Sequence, residues 1–285
     1  MPLVHAIVLG IVQGLSEFLP ISSSGHLALV PWLFGWDDFG GDQSLAKAFD
    51  VALHLGTLAG ALAYFRKDLV VYAREGTRLG LARIRGVTVE DGPARTDGRI
   101  AWLLVLSAIP AAITGVVLDS TIERLDDEFW LIAVMLIVFG LVLLYADRLA
   151  GDRSTGAFRT RDAVAMGVGQ ALALQPGVSR SGVTITVGRR LGFSRDAAAR
   201  LSFLMSLPII AGAGLYKLTD VLSSGGIPAG LRSAFAAGMV TSALTGWLAV
   251  WATLRLVRTR TFTPFVVYRV IAGVAVLGIL ASSFR

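Results

Sequence analysis

Apolar runs of bilayer length dominate the chain. Stretches close to the ~20 residues needed to cross a hydrocarbon core fall at 48–65, 100–118, 129–147, 199–217, 231–254 and 264–283, which predicts six transmembrane helices. Two further apolar regions, 3–35 and 162–192, are too long for one crossing and are interrupted near their centres. The first is broken by Pro20 and Ser22 to Gly25, the second by Pro176, Gly177 and Gly182. Proline and glycine end helices, so each region reads as a re-entrant helical hairpin. Non-helical backbone survives at that depth only beside protein or a water-filled cavity.

Composition agrees. The chain is 54% hydrophobic and 16% charged, with a mean hydropathy of +0.69, against about 25% charged residues in a soluble domain. The fold class is therefore an all-α polytopic membrane protein. The net charge of +6 does not point to nucleic acid, because the basic residues sit in short loops and not along one amphipathic face. With no cysteine, disulfides, thiolate nucleophiles and Cys-ligated metals are excluded. The N-terminal run lacks a basic region and leads straight into the first polar loop, so no cleaved signal is expected.

Loop charges orient the spans. Loop 66–99 carries eight Arg/Lys against five Asp/Glu, and loops 147–162, 189–200 and 255–263 also have a basic excess. These four are expected in the cytoplasm. Loop 119–128 has Arg124 against five acidic residues, and loop 36–47 has Lys47 against Asp37, Asp38 and Asp42; both are expected outside. The chain also repeats itself. At an offset of 157, residues 6–27 match 163–184 at seven positions, among them Gln13/Gln170, Ser22/Ser179, Ser24/Ser181 and Gly25/Gly182. A second match relates Leu55, Ala59, Gly60, Ala61 and Tyr64 to Leu207, Ala211, Gly212, Ala213 and Tyr216. Halves 1–150 and 151–285 each read as one hairpin plus three spans. An odd number of spans inverts the second half, and inverted repeats place a shared site near the midplane. The connection 76–99 reads as a basic surface loop or amphipathic segment without chemistry.

The interruptions carry the candidate chemistry. Gln13 and Glu17 are four residues apart and share a helical face. A carboxylate at that depth can bind a metal or act as a base, and Gln13 is either an oxygen ligand or a packing hydrogen bond. Ser22, Ser23 and Ser24 lie beside His26, as nucleophilic catalysis requires. In the second hairpin Arg180 stands between Ser179 and Ser181, with Thr184 following. A permanent cation among hydroxyls at a helix N-terminus suits a phosphate. His5 and His54 read as packing histidines, and Arg189, Arg190, Arg195 and Arg200 as interfacial anchors.

At Gln13-Gly-Leu-Ser-Glu-Phe-Leu-Pro-Ile-Ser-Ser-Ser-Gly-His26 and Pro176-Gly-Val-Ser-Arg-Ser-Gly-Val-Thr184 the chain resembles the bacterial undecaprenyl-diphosphate phosphatase family, of the bacitracin-resistance type, and the likeness in length and span layout covers the whole chain. The resemblance implies hydrolysis of undecaprenyl diphosphate to undecaprenyl phosphate and phosphate, recycling the carrier for peptidoglycan, with a divalent metal and an outward-facing site in the bacterial plasma membrane. It further implies that Glu17 is the second acidic residue of the family's Glu/Gln-rich motif, Ser23 the nucleophile and His26 the acid/base. Arg180, with Ser179, Ser181 and Thr184, then resembles the phosphate-binding loop, and Ser22 and Ser24 join it from the first hairpin. Gln13 stands where some members have glutamate, which removes one negative metal ligand.

These residues together suggest phosphoryl transfer, with Mg²⁺ or Ca²⁺ held near Glu17, with Gln13 as its second protein ligand, and Arg180 on the terminal phosphate. Either Ser23 or a water is the attacking group. Ser-Gly-His also occurs in phosphatidic-acid-type phosphatases, but their spaced His and Asp do not follow Ser179-Arg180. The competing class is a transporter or flippase of the polyprenyl phosphate carrier, which broken helices and inverted repeats also suit; a purely structural protein leaves the buried polar groups without purpose. Expected partners are the polyprenyl diphosphate lipid and membrane lipids, with a homodimer possible.

Overall fold

The computed structural model describes residues 1–125, 128–223 and 226–282, with side chains at all of these except 119–124 and 218–223. Its elements are α1 (Leu3–Phe18), α2 (Ser23–Phe34), α3 (Gln43–Ile84), α4 (Pro93–Leu125), α5 (Phe129–Asp147), α6 (Thr160–Leu172), α7 (Arg180–Arg190), α8 (Arg195–Ser223), α9 (Arg232–Leu256) and α10 (Thr263–Ala281), with short 3₁₀ turns at Thr155–Ala157 and Ala229–Leu231. No strand occurs among the described residues. Six helices, α3, α4, α5, α8, α9 and α10, are long and apolar enough to cross a membrane. They match the six predicted spans. The acidic loop 119–128 lies largely outside the residues whose side chains are described.

α3 runs far past its predicted end. Its 42 residues reach about 63 Å at 1.5 Å per residue, roughly twice the hydrocarbon thickness. The charged residues from Arg66 onward continue the helix because none is a breaker, so residues 76–84, expected in a connection, are helical.

The interrupted regions each become two short helices. α1 and α2 have 16 and 12 residues, α6 and α7 have 13 and 11. At about 17 to 24 Å none reaches across a ~30 Å core. Both second helices start the same way. Ser22 (φ 79°, ψ 98°) and Ser179 (φ 73°, ψ 111°) are the two non-glycine residues with positive φ among the described residues. Each caps its helix by accepting a hydrogen bond from a glycine amide three residues on, Gly25 at 3.4 Å and Gly182 at 3.1 Å. Two serines sharing so uncommon a conformation are the backbone counterpart of the sequence repeat.

Small residues let helices approach, as expected where lipid removes the hydrophobic drive for helix pairing. A Cβ on Gly14 would stand 2.6 Å from the Ser242 carbonyl oxygen, so α1 lies directly on the α9 backbone. Below the hairpin breaks the main core gathers Phe18, Phe65, Phe158, Phe193, Phe203 and Phe262, all fully buried. Phe18 meets Phe203 edge-on at 5.4 Å, which fixes the last turn of α1.

At the basic end, three of the four arginines expected as anchors, Arg189, Arg195 and Arg200, are structural ties. Arg195 Nε donates to Asp147 at 2.5 Å, and the other Asp147 oxygen accepts the Phe262 amide at 3.0 Å. Arg200 reaches Asp68 at 2.5 Å. Arg189 is buried, donating to the carbonyls of Leu149, Phe193, Asp147 and Gly151. A guanidinium with five donors can collect loop carbonyls that would otherwise be buried without partners.

Candidate active site

The last turn of α1 carries Glu17 to the point where the chain breaks at Pro20. α2 begins at Ser23, and its Oγ donates to Glu17 Oε2 at 2.6 Å. Glu17 Oε1 accepts from Arg180, the first residue of α7, at 3.1 Å from NH2 and 3.3 Å from Nε. The third Arg180 nitrogen, NH1, donates to the Ser202 carbonyl at 3.2 Å. The hairpin tips are joined directly: Ser22 Oγ accepts the Gly177 amide at 3.2 Å, and Ser181 Oγ donates to the Leu19 carbonyl at 3.0 Å. Residues 163 positions apart thus form one carboxylate–hydroxyl–guanidinium cluster.

This cluster forms part of the wall of a cavity of about 370 Å³. Glu17, Ser22, Ser23, Ser24, Ser179 and Arg180 supply its polar side, and Leu174, Ile209, Ile210 and Ala213 an apolar one. α3 adds Lys47, Asp50 and His54, and α8 adds Lys217. Lys47, Asp50 and His54 share one face at helical spacing. A charged pocket beside an apolar wall suits a phosphorylated head on a hydrocarbon tail.

Several expected residues lie elsewhere. Gln13 is fully buried behind Glu17, outside the cavity lining; its Nε2 donates to Glu17 Oε2 at 3.1 Å, and its Oε1 has no hydrogen-bond partner. Ser181 and Thr184 are also buried outside the lining. Thr184 donates to the Arg180 carbonyl at 2.8 Å and meets the Ser202 hydroxyl at 2.6 Å, which braces α7 against α8. His26 is not a cavity residue either. Its Nδ1–H donates to the Ser22 carbonyl at 2.6 Å, leaving Nε2 to accept the Tyr268 hydroxyl at 2.7 Å. Both nitrogens are engaged away from Ser23.

His54, read from sequence as packing, takes the opposite position. Its Nδ1–H donates to the Asp50 carbonyl at 2.8 Å, so Nε2 is the nitrogen that faces Glu17 Oε2, at 3.6 Å. Helical spacing to Asp50 was visible in sequence; the facing of α3 toward the first hairpin was not. His5 is the packing histidine expected, hydrogen-bonded to Asp38 at 2.8 Å and stacked on Trp36.

The sequence reading also missed Arg269. It is fully buried in α10 and donates to the carbonyls of Pro20 at 3.2 Å, Gly177 at 2.9 Å and Val178 at 3.0 Å, as well as Leu136 and Met135. One guanidinium thus holds both broken loops by their carbonyls. The available signal was an arginine inside the last apolar run, within two turns of its start, a costly placement that marks a buried role.

The model for the bacitracin resistance protein BacA family matches residues 6–275. The chain belongs to this family. Proteins named undecaprenyl-diphosphatase align over almost its full length. That of Pelobacter propionicus is 48% identical over 282 residues, covering 98% of both chains. Those of Geobacter sulfurreducens and Pelotomaculum thermopropionicum are 46% and 44% identical, covering at least 98% of each chain. The match to the BacA family spans both hairpins and so contains every residue of the cavity described above.

The metal that the resemblance implies finds a limited donor set. No group of three or more His, Asp or Glu suited to a metal occurs among the described residues. Glu17 is the carboxylate beside Ser23 and Arg180, and Gln13 Oε1, the unpartnered oxygen behind it, does not line the cavity. Hard divalent cations take oxygen ligands and commonly complete their shell with substrate phosphates. Glu17 fits that pattern as a single protein ligand.

Proposed function

We propose that the protein is a membrane phosphatase hydrolysing undecaprenyl diphosphate to undecaprenyl phosphate and inorganic phosphate. The observation that carries this is Ser23 Oγ at 2.6 Å from a carboxylate whose other oxygen is held by Arg180 at 3.1 Å. A nucleophile, its base and a phosphate-binding cation are in contact before substrate arrives. The plasma membrane of a bacterium is its place, with the cavity toward the outer side, as the loop charges indicate. Two inverted halves with re-entrant hairpins account for the matched Ser22 and Ser179 conformations.

In this mechanism the terminal phosphate enters the polar side of the cavity and the isoprenoid leaves along the wall of Leu174 and Ile209. Arg180 moves from Glu17 to the equatorial phosphate oxygens, joined by Ser24 and Ser179. Ser23 attacks phosphorus as Glu17 takes its proton, and the bridging P–O bond breaks to release undecaprenyl phosphate. A water then attacks the phosphoserine and gives up its proton to His54, while Glu17 returns the proton it took to the departing Ser23 oxygen, so that inorganic phosphate leaves with Ser23 restored. Positioning and charge neutralisation supply most of such catalysis. Glu17 would hold a Mg²⁺ or Ca²⁺, which would supply Lewis-acid neutralisation of the same charge.

His54 is the better-placed imidazole in this reading, and His26 a loop brace. The transporter alternative leaves the Ser23–Glu17 hydrogen bond without a task. The direct test is phosphate release from a polyprenyl diphosphate by the purified protein in detergent, supplied with divalent metal. Release at enzymatic rates is expected; lipid movement across vesicles without phosphate release would sink the proposal.

A further inference from the structure

A second cavity of about 800 Å³ lies at the opposite, basic end, between the last turns of α3 and the start of α4. Arg83, Arg95 and Arg99 line it together with Ile84, Val87 and Trp102. Its one acidic wall residue, Asp91, is paired with Arg95. Ile84 and Val87 are 83% and 61% exposed. Exposed aliphatics beside arginines are the combination found where a segment lies in a lipid interface.

The height of the groove agrees. Trp102 stands near the start of the apolar stretch of α4, its Nε1 donating to the Gly76 carbonyl at 3.0 Å, with its ring against Gly80. Tryptophan at the end of a span marks the headgroup level. Ile84 is one turn further along α3, about 6 Å beyond that level.

We propose that this groove binds an anionic phospholipid of the cytoplasmic leaflet. The phosphodiester sits against Arg83 and Arg95, with Arg99 behind them, and the acyl chains pass over Ile84, Val87 and the Trp102 ring. A monoanionic headgroup matches the basic excess of the groove, and a zwitterionic one does not. The site is separate from the catalytic cavity and does not depend on the reaction assigned to it.

Native mass spectrometry of the full-length protein in detergent, titrated with phosphatidylglycerol or phosphatidylcholine, tests this. Phosphatidylglycerol should be retained at lower lipid concentration than phosphatidylcholine. Arg83→Gln with Arg95→Gln should weaken its retention by about five-fold per arginine, the effect of one basic side chain near an anionic surface. Unchanged retention in that double variant, or equal retention of phosphatidylcholine by the wild type, means bound lipid is merely annular and overturns the proposal. Ile84→Ser with Val87→Ser should weaken phosphatidylglycerol as well. Unchanged retention there, or displacement of the lipid by inorganic phosphate, reduces the groove to a free-anion site and also overturns it. All four side chains are exposed, so thermal unfolding of both variants should stay at the wild-type value.

Discussion

Ser23 Oγ donates to Glu17 Oε2 at 2.6 Å, a hydrogen bond that spans the break between α1 and α2 and sets the carboxylate where the base of the proposed mechanism must stand. Replacing Glu17 by Gln keeps an oxygen for Ser23 but removes the proton acceptor. Turnover should fall by about 10²–10⁴-fold, the usual worth of a positioned base, measured as phosphate release. Glu17→Gln retaining most of its activity would falsify the base assignment.

Arg180 and Lys at this position are not equivalent. The guanidinium contacts Glu17 and the Ser202 carbonyl at once, and a lysine cannot hold a phosphate in a planar fork. Arg180→Lys should lose about 10²–10³-fold in kcat, comparable to removing one transition-state donor. An unchanged kcat with raised KM would instead place Arg180 in ground-state binding.

The two histidines should separate. His54→Gln removes the imidazole that faces Glu17 and should slow turnover by about 10²-fold while leaving thermal stability unchanged. His26→Phe removes the brace between the Ser22 carbonyl and Tyr268 and should lower thermal stability by about 1 kcal/mol or more, as for a lost buried hydrogen bond. The reverse pattern would return the acid/base role to His26.

Arg269→Met leaves the carbonyls of Pro20, Gly177 and Val178 without their donor. At about 1–3 kcal/mol for each buried group left unpaired, the variant should lose most of its stability and its activity together. The check is the midpoint of thermal unfolding in detergent. A midpoint within a few degrees of wild type would show that both loops hold themselves.

Gly177 has φ +90°, and a Cβ there would press on the Ile132 carbonyl. Gly177→Ala should cost at least about 1–3 kcal/mol from backbone strain alone and displace the amide that Ser22 accepts. Differential scanning of purified variants would reveal it. Ala at Gly40, where a Cβ meets nothing within 4 Å, serves as the control for positive φ without crowding.

Chelation offers a test of the cation. Excess chelator should abolish phosphate release, and added Mg²⁺ or Ca²⁺ should restore it. Full activity in chelator would leave Arg180 and the lysines of the cavity to neutralise the diphosphate alone.

The chain's own order of residues determined the six spans, the two broken regions and the polar groups within them. Apolar length, proline and glycine breaks and the cost of charge in hydrocarbon are local properties that leave a mark on every membrane sequence. The repeat at Ser22 and Ser179 was equally legible, since duplicated backbone needs duplicated capping chemistry. Only the tertiary structure decided which side chains share the cavity. Helical spacing gives the face of a residue but not what that face meets. For that reason His54 lines the cavity while His26 braces its loop, Gln13, Ser181 and Thr184 lie behind the wall, and Arg269 ties together loops that lie 157 residues apart.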